Sequence, residues 1–385
     1  MAECKDCVDL ATAGDALVND VQTFQIAVLA GDGIGPEVIA QAIRLVEAVA
    51  ADDGTFRLDF EYLDAGATHY ERAGESLPAD VMEAARKADA IFLGAMGMPH
   101  IRYDDGTEIA PQLELREQLE LYAGVRPIRT IAGLPTPLRD ARAQMLDIVL
   151  VRESTEGLFK SRNRCKQIGD EIARDTLEIT RATSERLFRF AFDLAAKRKR
   201  CGRPGEVMCV DKANVLGSFA FFRKVFDEIS GSYPDLSARH GYVDAVGLWL
   251  VKQPWVFDVL VTENMFGDIL SDVGAGLMGG MGMAPSADIG DEYAVFQPCH
   301  GSAPDIVGQG IANPVAAILS GAMMLDWLGD TYASEACHNA ARTLSAAVDA
   351  AFVAGELVPV ELGGDAGTAA IGNAIAAELD KARAA

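Results

Sequence analysis

FDVLVTENMFGDILSD, residues 257 to 272, is an apolar run followed by a segment that holds two carboxylates four residues apart. The run FDVLV has the length and make-up of a buried strand. If the chain turns helical after it, Asp268 and Asp272 stack on one face, because positions i and i+4 are neighbours on a helix. Two hard oxygen ligands side by side can hold Mg²⁺ or Mn²⁺ and leave coordination positions free for a substrate.

The same alternation of strand and helix runs outward along the chain. QIAVLA (25–30) reads as a buried parallel strand, then GDGIGPEV (31–38), then an amphipathic helix over 39–49. LDFEYLDA (58–65) and AIFLGAM (90–96) are further strands. Residues 111–121 have helical spacing and carry Arg116, and LDIVLVRE (146–153) delivers Arg152 and Glu153 at its end. A helix over 180–200 has Thr180 as its N-cap and closes on KRKR, cations that complement the helix dipole. EVMCVDKANV (206–215) is a strand with Lys212 at its exit, 274–290 reads as a flexible glycine-rich connection, and a helix starts near Pro314. Strand alternating with helix throughout predicts a mostly parallel sheet with helices on both faces. Without a repeat or low-complexity linker, a second lobe would form by the chain leaving the first and returning.

The 385 residues suffice for a large core and more than one lobe, and half are hydrophobic. A net charge of −23 argues against nucleic-acid binding, which needs a basic footprint, and leaves an anionic substrate dependent on a few arginines and a metal. No stretch resembles a membrane span or a signal peptide. Seven cysteines in no regular array fit a reducing cytoplasm, and Cys4-x-x-Cys7 lacks a second pair at zinc spacing. Residues 1–24 read as a polar extension.

Three arginines stand near strand or helix ends: Arg116 in LELREQL, Arg126 in GVRPI and Arg152 in VRESTEG. Guanidinium forks bind carboxylates in bidentate fashion, so three of them in so acidic a chain suggest a small di-anionic acid as substrate. GDGIGPE alone is only a glycine-rich strand-to-helix turn, since its spacing is not that of the Rossmann fingerprint.

GDGIGPEV, LELREQLELYAGVRPI, VRESTEG, VDKANVL, YVDA, FGDILSD, HGSAPDI and IANP, in that order over residues 25–375, together resemble the isocitrate, 3-isopropylmalate, tartrate and malate dehydrogenases that oxidise and β-decarboxylate 2-hydroxy acids. The resemblance implies an isopropylmalate dehydrogenase-like α/β fold of two lobes with an active-site cleft between them. Residues 25–121 plus 280–385 would hold the dinucleotide. Residues 122–279 would carry the metal site and the dimer contact. It implies Arg116, Arg126 and Arg152 as carboxylate binders, and Asp268 and Asp272, with Asp244 of the partner subunit, as metal ligands. Lys212, also from the partner, would assist proton transfer, with Asp244 through water as the other candidate base, and such shared sites imply a homodimer. His300, Gly301, Ser302, Ala303, Asp305, Ile306 and Asn313 would line the cofactor. NADP-dependent relatives tend to have lysine and tyrosine where this chain has Asp305 and Ile306, and an acidic residue there would repel a 2′-phosphate, so the expected cofactor is NAD.

The chain departs from the pattern at three places. Phe159 stands where the family usually has a tyrosine, the acid that returns a proton to carbon after CO₂ leaves. The alternative of a regulatory subunit follows from this loss, although the retained metal set and Lys212 argue against it. Gln112 stands one turn before Arg116, where isopropylmalate enzymes have leucine; burying a branched alkyl group against it would cost about 1–3 kcal/mol. Gln297 replaces a frequent glutamate and has no evident reading. The expected substrate is therefore a D-malate- or tartrate-like acid or a related 3-substituted malate, with 3-isopropylmalate or isocitrate as the alternative.

Overall fold

The computed structural model describes residues 21–384, so the Cys4-x-x-Cys7 motif and most of the polar extension lie outside it. The strands are β1 (Gln22–Gly31), β2 (Phe56–Tyr62), β3 (Ala90–Ala95), β4 (Ala123–Arg129), β5 (Asp147–Glu153), β6 (Lys166–Ile168), β7 (Ile172–Arg174), β8 (Glu206–Asp211), β9 (Ser237–Tyr242), β10 (Val259–Thr262), β11 (Pro285–Ile289) and β12 (Ala294–Pro298). The helices are α1 (Gly35–Asp53), α2 (Ala67–Ala73), α3 (Ala79–Lys87), α4 (Pro111–Gln118), α5 (Arg181–Arg200), α6 (Gly217–Ser230), α7 (Val243–Lys252), α8 (Asn264–Met278), α9 (Val315–Tyr332), α10 (Glu335–Phe352) and α11 (Thr368–Ala384).

All strands but the small β6–β7 hairpin join one sheet, in the order β2-β1-β3-β12-β11-β4-β5-β10-β8-β9. Its two halves, β2-β1-β3-β12 and β5-β10-β8-β9, are each parallel. Between them β11 and β4 make the antiparallel centre. The chain is thus the expected α/β fold with a mostly parallel sheet.

Both faces of the sheet are covered, which is why its strands read as continuous apolar runs. Successive residues of β1 feed opposite cores, since side chains alternate along a strand. Ile26 and Val28 pack with Val38 and Val46 of α1 and Ile318 of α9. Ala27 and Leu29 pack with Val81, Met82 and Ala85 of α3. In the other half, α5 starts as expected at Thr180, whose side chain accepts from the Thr183 amide. Its buried stripe includes Leu187, Phe188, Ala191 and Phe192, and Phe188 meets Phe222 and Phe226 of α6. Each large apolar side chain buried this way contributes roughly 1.5–3 kcal/mol.

One expectation needs correction. Residues 274–290 are not a flexible connection: α8 runs to Met278, and 285–289 form β11. Gly279, at φ 116°, ends the helix in a conformation that suits glycine, and β11 gains backbone partners on both edges, β12 and β4. Among the described residues no helix is long and apolar enough to cross a membrane.

Candidate active site

The stretch after β10 turns helical at once. Glu263 caps α8 by accepting from the amides of Met265 and Phe266. Asn264, Asp268 and Asp272 then share one face by their spacing of four. That face lies over β5, because Gly267 has no side chain: a Cβ there would sit 2.6 Å from the Cβ of Arg152. The close approach lets Arg152 donate to Asn264 Oδ1 from Nε (3.0 Å) and Nη2 (2.8 Å), and from Nη1 to Asp268.

A cavity of about 180 Å³ opens at this point, and Arg116, Arg126, Arg152, Asp268 and Asp272 all line it. Residues from α4, β4, β5 and α8 therefore meet at one cavity. Its volume suits a small acid rather than a large ligand. Crowded by burial and by the Arg116 guanidinium, Arg152 has its pKa pushed down to about 10.

The sequence reading missed the group that organises these cations. Asp288 of β11 is fully buried and accepts from Arg116 Nε (2.9 Å), Arg126 Nη2 (3.1 Å) and Gln297 Nε2 (2.7 Å). Burial alone would raise its pKa, but Arg116 and Arg126 outweigh that and hold the carboxyl well below the usual range. Gln297 thereby gains a role, as a neutral donor to Asp288. No local signal marks Asp288, which is 172 residues from Arg116.

Three guanidiniums thus face three carboxylates, those of Asp268, Asp272 and Asp288. A di-anionic substrate would meet no net positive charge, and a divalent cation restores the balance. Asp272 shows the same need: burial, and then the neighbouring Asp268, raise its pKa. Asp268 and Asp272 are hard oxygen donors one helical turn apart and fit such an ion. Among the described residues of one chain, however, no group of three His, Cys, Asp or Glu residues comes together at metal-binding distance.

Lys212 and Asp244 do not line this cavity. They pair with each other at 2.6 Å, with side chains 27% and 67% exposed. That bond draws the Asp244 pKa down. Val215 beside Lys212, Leu248 and Val251 of α7, and Ile269 of α8 are large apolar side chains left exposed. Phe159 does not line the cavity either; the Arg152 guanidinium carbon lies 5.2 Å from the centre of its ring. Gln112 does line it, and its Oε1 is buried without a partner.

A second cavity of about 260 Å³ adjoins the first through His300. Ile34, Ala303, Ile306 and Ala312 give it apolar walls, and Asn313 and Glu361 add polar groups. Its two loops meet closely. Gly33, at φ 59°, lies so near the Ser302 carbonyl that a Cβ would come within 2.0 Å of the oxygen, and Ile34 N donates to that carbonyl at 2.9 Å. Asp32, buried beside it, accepts from the amides of Ala67, Thr68 and Gly97, each at 2.8 Å, and so ties its own turn to the start of α2 and to the loop after β3. His300 Nε2 is buried and unpartnered, and burial lowers the ring's pKa. Apolar walls beside an unmet imidazole nitrogen are groups that could hold part of a dinucleotide. Gly301 and Asp305 are exposed and Ser302 is buried, donating to Gly97 O, so the cofactor candidates share one loop with different exposures.

The chain matches the isocitrate/isopropylmalate dehydrogenase family over residues 25–375. It is 41% identical over 345 residues to a 3-isopropylmalate/3-methylmalate dehydrogenase of Methanocaldococcus jannaschii, covering 89% of this chain and 95% of that one. It is 40% identical over 371 residues to a 3-isopropylmalate dehydrogenase of Moorella thermoacetica, covering 93% and 99%. Among solved structures, an isocitrate dehydrogenase from Methylococcus capsulatus superposes with a TM-score of 0.81 at 36% identity, over 92% of this chain and 99% of that one.

Proposed function

Because the chain belongs to the isocitrate/isopropylmalate dehydrogenase family, with NAD and Mg²⁺ or Mn²⁺ as cofactors, we propose that it oxidises a 3-alkylmalate at its 2-hydroxyl. The observation that carries this reading is the convergence of Arg116, Arg126, Arg152, Asp268 and Asp272 on one small cavity. The relatives favour 3-alkylmalates over the D-malate- or tartrate-like acid expected from the sequence. Gln112, polar and with an unmet Oε1 in the cavity wall, supports the shorter alkyl members such as 3-methylmalate.

Arg116, Arg126 and Arg152 bind and orient the carboxylates through their planar forks. Asp268 and Asp272, with Asp244 of the partner subunit, would hold the divalent ion, and Lys212 of the partner subunit would take up the hydroxyl proton. When bound, NAD supplies the hydride acceptor and the divalent ion supplies the Lewis acid that lowers the hydroxyl's pKa. The exposed Lys212–Asp244 pair and the apolar side chains beside it support a homodimer with shared sites. The lobe that binds NAD is 25–121 with 280–385, supported by the cavity between Ile34 and the His300–Asn313 segment; 122–279 is the metal lobe. Free thiols at Cys165, Cys201, Cys209 and Cys299 support a cytoplasmic setting.

Phe159 has no proton to give to the carbon that CO₂ leaves, so loss of CO₂ after hydride transfer is the slow step. NADH and CO₂ formation are to be measured in parallel with Mn²⁺ over D-malate, the tartrates, isocitrate, 3-methylmalate and 3-isopropylmalate. The 3-alkylmalates should give the highest kcat/KM, with CO₂ lagging behind NADH, and Phe159→Tyr should close that lag. A higher kcat/KM for D-malate or a tartrate would overturn the substrate assignment. Absence of NADH from every acid would leave the regulatory-subunit reading in its place.

A further inference from the structure

Two clefts lie back to back in this molecule, on opposite faces of the strands at the centre of the sheet. The period of two along each strand divides the residues between them. On β4, Arg126 lines the small active-site cavity, while Val125, Pro127 and Arg129 line a larger one of about 1070 Å³. On β12, Gln297 faces one and Phe296 the other. Each cleft takes one wall from each proposed lobe. In front, Gln112 and Arg116 of the lobe 25–121 with 280–385 face Asp268 and Asp272 of 122–279. Behind, Met323 and Trp327 of α9 face Phe190 and Leu194 of α5. A rotation of the lobes about the shared strands that narrows the front cleft therefore widens the rear one.

Charged side chains of α5 cross the rear cleft at two places. Lys197 donates to Asp326 and Asp330 of α9 at 2.9 and 2.6 Å. Arg186, three turns earlier on α5, donates to Glu120 at 3.0 Å and to Asp291 at 3.4 Å. The acceptors of Lys197 are fixed on their own lobe: α9 is buried along most of its length, and Asp326 Oδ1 lies 2.8 Å from His338 Nδ1 of α10. Widening the cleft would pull Lys197 out of hydrogen-bond reach of both carboxylates. The side chains of Lys197, Asp326 and Asp330 are 35%, 46% and 52% exposed, so water screens the crossing. Each such pair shifts an equilibrium by about fivefold at most. That strength suits a restraint that substrate binding can overcome.

We propose that Lys197 is a strap across the rear cleft, restraining the rotation that narrows the active-site cleft on its substrate. The inference rests on the lobe division and the activity proposed above. Lys197 lies outside the substrate cavity and is a positioning residue, acting through the angle between the lobes. The test uses the whole 385-residue chain with Trp249 and Trp255 replaced by Phe, so that Trp327 in the rear wall is the sole indole. Lys197→Met keeps the aliphatic stem against the groove and removes the charge. It should raise acrylamide quenching of Trp327 about twofold, and added salt should raise quenching in the strapped chain but not in this variant. A larger closed population should lower the KM for 3-methylmalate about threefold without raising kcat. Asp326→Asn with Asp330→Asn should do the same, and Lys197→Arg should restore both readings. Quenching and KM unchanged in Lys197→Met, a raised KM, or an equal change in Lys197→Arg would overturn the strap. Higher quenching with KM unchanged would uncouple the two clefts and overturn it too. Quenching needs no substrate, so a chain that turns over none of the acids would sink the proposed activity while Trp327 still decides the strap.

Discussion

Two sets of charges in this molecule stand in opposite settings. Arg116, Arg126 and Asp288 are held at fixed distances inside the sheet, with the Asp288 side chain wholly buried. Lys212 and Asp244 form a single pair near the surface, with Asp244 mostly exposed. The buried cluster is complete within one chain and part of the packing. The exposed pair contributes little to stability, because water and salt screen it. Burial therefore separates the residues that keep the pocket in shape from those left near the surface, which we propose act on a second chain's pocket.

Each half of this comparison can be broken. Asp268→Asn removes one of the carboxylates proposed to hold the metal and should lower NADH formation on the order of 10³-fold, measured at saturating Mn²⁺; unchanged turnover would sink the metal assignment. Lys212→Met should be comparably inactive. If sites are shared, mixing the two inactive variants should restore activity that neither has alone, and a mixture without activity would confine each site to one chain. Asp288→Asn is the opposite case. It leaves two buried guanidiniums without their countercharge and should cost about 3–5 kcal/mol in denaturant unfolding. Lys212→Met should shift the same unfolding curve by less than about 1 kcal/mol.

A third carboxylate sharpens the contrast through pH. Glu153, at the end of β5, is buried and accepts from the amides of Thr155 and Glu156. Burial outweighs those bonds and pushes its pKa up to about 7. A folded pKa above the unfolded one means that its contribution is present in acid and lost as pH rises through about 7. Between about pH 5 and pH 8 this group should remove roughly 3 kcal/mol of stability, and Glu153→Gln should flatten that part of the profile. An unchanged profile would mean that Glu153 is ionised in the fold without cost. The smallest effect belongs to Arg142 and Asp140, a mostly exposed pair at 2.7 Å. Asp140→Ala should move the unfolding midpoint barely at all, within about 1 kcal/mol.

Much of this was legible from the chain. β1, β3, β5, β8 and β10 are uninterrupted apolar runs, since both faces of a parallel strand are covered. The spacing of Asp268 and Asp272 follows from helical geometry, and Thr180 marks the start of α5 by a local hydrogen bond. β4 was not readable as a strand, because Arg126, Pro127 and Arg129 interrupt its apolar character. β11 was hidden in a glycine-rich stretch whose order comes from two neighbouring strands rather than from its own residues.

The sequence by itself determined the alternation of strand and helix, the family motifs, and those site residues whose spacing is local. Only the tertiary structure decided that Asp288 would gather Arg116 and Arg126, that Asp32 would tie its turn to the start of α2 and the loop after β3, and that Gln297 would serve Asp288. It also decided that Lys212 and Asp244 would stay outside the pocket of their own chain. The physical reason is range. A helix or strand period is written within a few residues, whereas a buried charge finds its partner across the sheet, where strand order and not sequence distance sets the neighbours.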